Sequence, residues 1–233
     1  MTNLSETRAT DAGCDLLDRL LDRDGDAADG LRPTTLPFAP GVRLHLATDA
    51  VVLNARLEAE QGHRLTPPFW ADVWAGGQGL AQHIIRHPEL VAGRRVLDIA
   101  SGSGIVAITA ALAGAASVTA NDIEPYALAA IALNSRSSGV SVTLRADDLL
   151  DGDGEDAEVV LAGDVFYREP MATRMSGFLA RATARGACVL VGDPGRACLP
   201  SQRFAVVASY PLPMSGAGQD AQVSRTYVLQ PRP

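Results

Sequence analysis

The sequence predicts an α/β fold: a mostly parallel sheet of seven strands, with an antiparallel hairpin at one edge and helices on both faces. Two observations carry this. From Arg95 onward, short apolar strand-like runs alternate with helical stretches, the pattern that builds βαβ units and a parallel sheet. The first of those runs ends in Asp98 and a Ser101-Gly102-Ser103-Gly104 turn, the place where an open α/β sheet holds its ligand, at the carboxyl ends of the strands.

The elements follow in chain order. Leu16, Leu17, Leu20 and Leu21 fall at helical spacing within an acidic tail, and residues 24–30 are rich in turn formers. Val42 to Leu46 alternates as a strand, and Asp49 to Glu60 has helical character. The segment Pro67 to Gly77 breaks that helix and leads into another, Gln78 to His87, which Pro88 stops. Strand Arg95 to Ala100, helix Ile105 to Ala113 and strand Ser117 to Asn121 come next, then a helix with Pro125 in its first turn. Strands Ser141 to Arg145 and Glu158 to Ala162, helix Glu169 to Arg181 and strand Ala187 to Val191 complete the alternation. Phe204 to Ser209 and Val223 to Leu229 have no long helix between them and suit the antiparallel edge hairpin. The organisation expected is an acidic tail over residues 1–30 and one domain over 31–233.

Composition narrows the function. The chain has 233 residues, 47% hydrophobic and 20% charged, with a net charge of −7, which opposes general binding to nucleic acid because that needs a basic face. Eight acids against three arginines in residues 1–30 place −5 of that charge in the tail and leave a nearly neutral body. Cys14, Cys188 and Cys198 form no CxxC pair and no even framework, so a reducing, cytoplasmic setting is expected. The start lacks the basic and apolar regions of a secretory leader, and the most apolar stretch, Ile105 to Ala116, is too short to span a bilayer. All 20 basic residues are arginine, as a GC-rich coding sequence would give.

The chemistry gathers at the strand ends. In Val96 to Gly104, glycines let a ligand approach the backbone at a helix start. Gly102-x-Gly104-x-x-Ala107 with Asp122 downstream also fits a relaxed dinucleotide fingerprint, which makes an NAD(P)-dependent oxidoreductase an alternative. Asp98 opposes it, since a carboxylate there would repel a pyrophosphate yet suit the cationic ammonium of S-adenosylmethionine. Asp122 can accept two ribose hydroxyls or cap the helix that follows. Asp147 or Asp148 can take an adenine amino group or serve as a turn acid. Asp164 and Tyr167, just past the apolar strand Glu158 to Ala162, are costly there unless they face a crevice.

Five runs in order, Pro68 to Ala71 with Trp74 to Gln78, Val96 to Gly104, Ala120 to Pro125, Gly163 to Tyr167 and Gly192 to Arg196, resemble the seven-β-strand (class I, Rossmann-like) methyltransferases. Within them the similarity is to the lysine methyltransferases of the electron transfer flavoprotein β subunit, over roughly residues 36 to 230. The resemblance implies S-adenosylmethionine as cofactor, held by Asp98, Ser101, Gly102, Gly104, Asp122, Ile123, Asp148, Gly163 and Trp74. It implies Asp164 and Tyr167 as an Asp-x-x-Tyr catalytic pair, with Asp164 orienting the incoming lysine and Tyr167 walling its channel. It also implies a protein substrate, the flavoprotein β subunit; a ribosomal-protein or nicotinamide-type N-methyltransferase is the alternative. The chain departs from the family at Trp74-Ala75-Gly76-Gly77, where Pro is common at the second position, and at Ala100, where Gly is common. Lacking lysine, it offers no side-chain amine of its own to modify.

Weaker patterns have plain readings beside functional ones. Phe69, Trp70 and Trp74 can cover a cation or pack the core. His83 and His87 have a zinc-compatible spacing without a third ligand, and Asp151, Asp153 and Glu155 mimic a calcium loop whose twelfth position is Ala162. Arg196 can pair with an acid at the sheet end or touch substrate.

Overall fold

The computed structural model describes residues 30–212 and 223–232. The acidic segment 1–29, with its expected helix and Cys14, lies outside the described residues.

Strand β1 (Leu31–Leu36) pairs antiparallel with β2 (Ala39–Ala47) in a separate two-stranded sheet. Nothing in the periodicity marks β1, because Arg32-Pro33-Thr34-Thr35 does not alternate and Pro suits a strand only at an edge or bulge. Helix α1 (Ala50–Gln61) is capped by Asp49, whose carboxylate accepts from the N–H groups of Val51 and Val52 at 2.9 and 3.1 Å. Such a cap contributes about 1 kcal/mol. Gly62, at φ 72°, ends the helix in the left-handed conformation.

Helix α2 (Ala75–Arg86) begins three residues before its expected start. Gly76 and Gly77 are poor helix formers, but they let the helix start rest on the sheet backbone. A Cβ on Gly76 would lie 2.1 Å from the Gly192 carbonyl oxygen, and one on Gly192 would lie 2.0 Å from the Gly76 oxygen. This tertiary contact overrides local propensity, and Ala75 through Ile84 are all buried.

The alternation then runs as expected through β3 (Arg95–Ile99), α3 (Ile105–Leu112), β4 (Ser117–Asn121), α4 (Pro125–Ser137), β5 (Thr143–Arg145), β6 (Val159–Gly163), α5 (Met171–Ala184) and β7 (Cys188–Asp193). Strands β8 (Phe204–Pro211) and β9 (Arg225–Pro231) close it. Among the described residues the main sheet has seven strands, in the order β5-β4-β3-β6-β7-β9-β8. Neighbours from β5 to β7 are parallel, whereas β9 runs antiparallel to both β7 and β8. The chain turns from one half of the sheet to the other between β3 and β6, a switch point that opens a crevice at the strand ends.

Two core layers cover the sheet. One joins α2, α3, α4 and β2 around Leu80, Ile84, Ile108 and Ile131; the other joins α5 around Phe166, Met175, Phe178 and Leu179. Buried Asn134 stitches three elements: its amide donates to the Ser103 carbonyl at 2.9 Å, and its Oδ1 accepts from the His45 N–H at 2.8 Å. The hairpin is thereby tied to the helix that lines the glycine turn. No helix among the described residues is long and apolar enough to cross a membrane.

Candidate active site

A cleft of about 550 Å³ opens at the carboxyl ends of β3, β4, β5, β6 and β7, within the range of cofactor and small-ligand pockets. Its wall includes Trp74, Gly102, Asp122, Ile123, Asp148, Gly163, Asp164 and Tyr167. These predicted residues come from five separate stretches of chain and meet at one site.

Asp98, Ser101 and Gly104 do not reach the surface of the cleft. Asp98 is 1% exposed, and its Oδ2 accepts from the Ser101 hydroxyl and, at 3.1 Å, from the Ala107 N–H at the start of α3. The Asp98 carboxylate, expected to meet a bound ammonium, turns inward in the structure and braces the glycine turn from behind. Burial pushes its pKa up to about 7, against the lowering effect of those two hydrogen bonds. Gly104 sits at φ 82° beneath Ile131 and starts α3.

Asp122 resolves one of the open alternatives. Glu124, not Asp122, caps α4. The Asp122 Oδ2 accepts from the Gly102 N–H at 2.9 Å and Oδ1 from the Glu124 N–H at 3.0 Å. Burial raises its pKa while these backbone donors lower it. Asp122 lines the cleft, and Ile123 beside it leaves 69% of its surface exposed. A carboxylate next to an open apolar side chain suits a sugar joined to a flat ring.

Asp147 and Asp148 also separate. Asp147 pairs with Arg145 at 3.1 Å, whereas Asp148 lines the cleft and pairs with Arg174 of α5 at 2.7 Å. That guanidinium holds the Asp148 carboxyl below its ordinary range.

At the other end stands Asp164, at φ 56°, a left-handed conformation that Asp adopts more readily than most residues. Its Oδ2 accepts from the Gly77 N–H at 3.0 Å, and its Oδ1 accepts from Arg196 Nε at 3.0 Å and from Nη2. Both partners of this ion pair are about nine-tenths buried, at 10% and 11% side-chain exposure. The Arg196 guanidinium also lies 5.7 Å from the centre of the Trp74 ring. Phe69 makes edge contacts with Trp74 and Tyr167, ring centres 5.6 and 5.7 Å apart. The result is a three-ring aromatic wall beside a neutralised carboxylate.

Other sequence patterns resolve as structure. Trp70 is 3% exposed and packs with Leu53, Leu57 and Ala127. His83 meets the Tyr210 hydroxyl at 2.8 Å. Asp151 and Glu155 pair with Arg174 and Arg145. Among the described residues, no group of three or more His, Cys, Asp or Glu is placed to hold a metal. Burial raises the Cys188 thiol, which keeps it unreactive. The sequence reading missed Arg174 and the bracing role of Asn121, whose side-chain amide holds the Arg145 and Asp147 carbonyls at 2.9 and 2.8 Å. No local pattern marks either, since both act across strands.

Comparisons with known proteins show what the chain is similar to. A sequence model described as Ribosomal protein L11 methyltransferase (PrmA) matches residues 85–165. The chain is 40% identical over 132 residues to the electron transfer flavoprotein beta subunit lysine methyltransferase of Danio rerio, covering 56% of this chain and 51% of that one. To the protein of the same name in Xenopus laevis it is 36% identical over 169 residues, covering 70% and 67%. For the first of these relatives the match spans about half their length. Among solved structures, magnesium protoporphyrin IX methyltransferase from Synechocystis PCC 6803 with bound SAH superposes with a TM-score of 0.52 at 14% identity, covering 98% of this chain and 99% of that one, a likeness of fold.

The doubly wound sheet and its strand-end cleft are those of the class I methyltransferases. Within that class, the chain belongs to the electron transfer flavoprotein beta subunit lysine methyltransferase family.

Proposed function

We propose that this chain is an S-adenosylmethionine-dependent protein-lysine N-methyltransferase that acts on the β subunit of electron transfer flavoprotein. The observation that carries the reading is the convergence of Asp122, Ile123, Asp164 and Tyr167 on one cleft in a chain of this family. Bound S-adenosylmethionine would supply an electrophilic methyl group on a sulfonium.

The residues present fit that cofactor. Gly102, at φ 56° with nothing within 4 Å of a Cβ position, leaves open space over the turn. Asp122 would accept ribose hydroxyls, Ile123 would cover the adenine, and Asp148 would accept from its amino group. Gly163 and Trp74 would border the methionine portion. Asp98, Ser101 and Gly104 would hold the turn in shape, and Asp98, poised near pH 7, would ionise as a cation settles above it. Asp164 would orient the lysine nitrogen, and Tyr167 with Phe69 would wall its channel and exclude water. Methyl transfer is an in-line displacement, so positioning supplies most of the catalysis.

The compartment we infer is the cytoplasm, supported by the free thiols of Cys188 and Cys198. We read residues 1–30 as an acidic segment ahead of the domain at 31–233, able to attract a basic partner at low salt.

The test uses Asp164→Ala. Calorimetry with S-adenosylhomocysteine should show cofactor binding retained, while transfer of labelled methyl to the recombinant flavoprotein β subunit is lost. Full retained transfer would overturn the assignment. Label entering small metabolites of a lysate instead of protein would favour the nicotinamide-type alternative, and label in ribosomal protein the ribosomal one.

A further inference from the structure

Arg196 joins three parts of the candidate active site. Its side chain grips Asp164 after β6, its guanidinium lies over Trp74 ahead of α2, and its backbone N–H donates to the Asp193 carboxylate at the end of β7 at 2.7 Å. Asp193 is fully buried and also accepts from the Gly195 N–H at 2.7 Å, so the turn that carries Arg196 is fixed at its base.

The consequence is electrostatic. Asp164 does not stand in the cleft as a bare carboxylate, because one oxygen is taken by a guanidinium and the other by the Gly77 N–H. A bare carboxylate would hold a lysine side chain as ammonium, which has no lone pair and cannot attack. Close to a cation, a lysine gives up its proton more readily.

We propose that Arg196 is a positioning residue for methyl transfer: by holding Asp164 and cancelling its charge, it lets the cleft take the acceptor lysine as the neutral amine. This rests on the lysine methyltransferase reading and deepens it. The proton leaves to water before transfer; the nitrogen lone pair then forms the N–C bond while the C–S bond breaks, its electron pair remaining on sulfur. The product methylammonium gives up its extra proton to water in turn.

The surrounding charges leave Arg196 this role. Asp148 is engaged by Arg174 at the adenine end of the cleft. Asp122 and Glu124 after β4 belong to the proposed ribose side, and both are pushed up by burial. Arg168, on the same stretch as Tyr167, lies 5.6 Å from that ring centre and adds positive charge near the mouth, and Glu169 beside it binds Thr173.

The experiment measures kcat and KM against pH for the full chain, with S-adenosylmethionine and the recombinant flavoprotein β subunit. In Arg196→Gln the unopposed carboxylate should hold the ammonium: kcat falls about tenfold at neutral pH, KM does not rise, and the acidic limb of kcat moves about one pH unit higher. Arg196→Lys keeps the charge without the fork and should leave the limb near its original position. Asp164→Asn leaves the guanidinium unopposed and should move the limb of its residual activity the opposite way, with a higher KM. That arm stands even if Arg196→Gln fails to fold. An unmoved limb in folded Arg196→Gln, or shifts of the same sign in Arg196→Gln and Asp164→Asn, overturns the proposal while the parent reading survives. A wild-type chain that methylates no lysine overturns both.

Discussion

The carboxylate of Asp122 accepts the Gly102 N–H at 2.9 Å and so joins the end of β4 to the glycine turn after β3. Two motifs separated by 20 residues are one structural unit, and the residue that would bind the ribose also sets the backbone of the turn beside it. Asp122→Ala should therefore weaken S-adenosylhomocysteine binding by more than one lost contact, about 10- to 100-fold by titration calorimetry. It should also lower the melting temperature, because the Gly102 and Glu124 N–H groups lose their acceptor. Unchanged affinity would remove Asp122 from the site.

Ala100 occupies φ 53°, a region that costs a residue with a Cβ about 1–2 kcal/mol. Replacing Ala100 with Gly should raise stability by about 0.5–1 kcal/mol, since part of the relief is offset by the greater freedom of Gly in the unfolded chain. Urea denaturation reads this as a higher midpoint with the same slope, and a lower midpoint would show that the turn is unstrained.

Asp98 makes stability depend on pH with a defined sign. Its folded pKa of about 7 lies above its unfolded value of 3.8, so its contribution is full below about pH 4 and is lost as pH rises through 7. Urea midpoints of the wild type should fall relative to Asp98→Asn between pH 4 and 8. Parallel curves for the two proteins over that range would contradict a buried, proton-holding Asp98.

Gly192 and Gly76 touch backbone to backbone. Gly192→Ala places a methyl 2.0 Å from a carbonyl oxygen that cannot move without shifting α2, so a loss of about 3 kcal/mol or more is expected. Gly62→Ala, where a Cβ meets nothing within 4 Å, should cost only the left-handed strain of about 1–2 kcal/mol. Thermal melts of the two variants separate them, and equal losses would show that the close packing is unimportant.

Much of the fold was legible because its periodicity is local. The strand and helix alternation from β3 to β7 follows from side chains that neighbour one another in sequence, and Ser117–Asn121 has the expected bounds. Strand β1 was not legible, since its partner β2 and the Asn134 that anchors the hairpin do not show in its own residues. The early start of α2 escaped for the same reason: Gly76 and Gly77 look like a loop until the carbonyl of Gly192 lies against them.

The sequence by itself determined the class of fold, the cleft at the strand ends and the residue types that line it, because strand-end acids and glycine turns are short-range patterns. It also offered Arg196 a choice between an acidic partner and a substrate. Only the tertiary structure decided that the partner is Asp164, that Glu124 rather than Asp122 caps α4, and that Asp98 faces inward. Those outcomes depend on which strand ends lie side by side, and a carboxylate's role follows from the donors brought to it across the sheet.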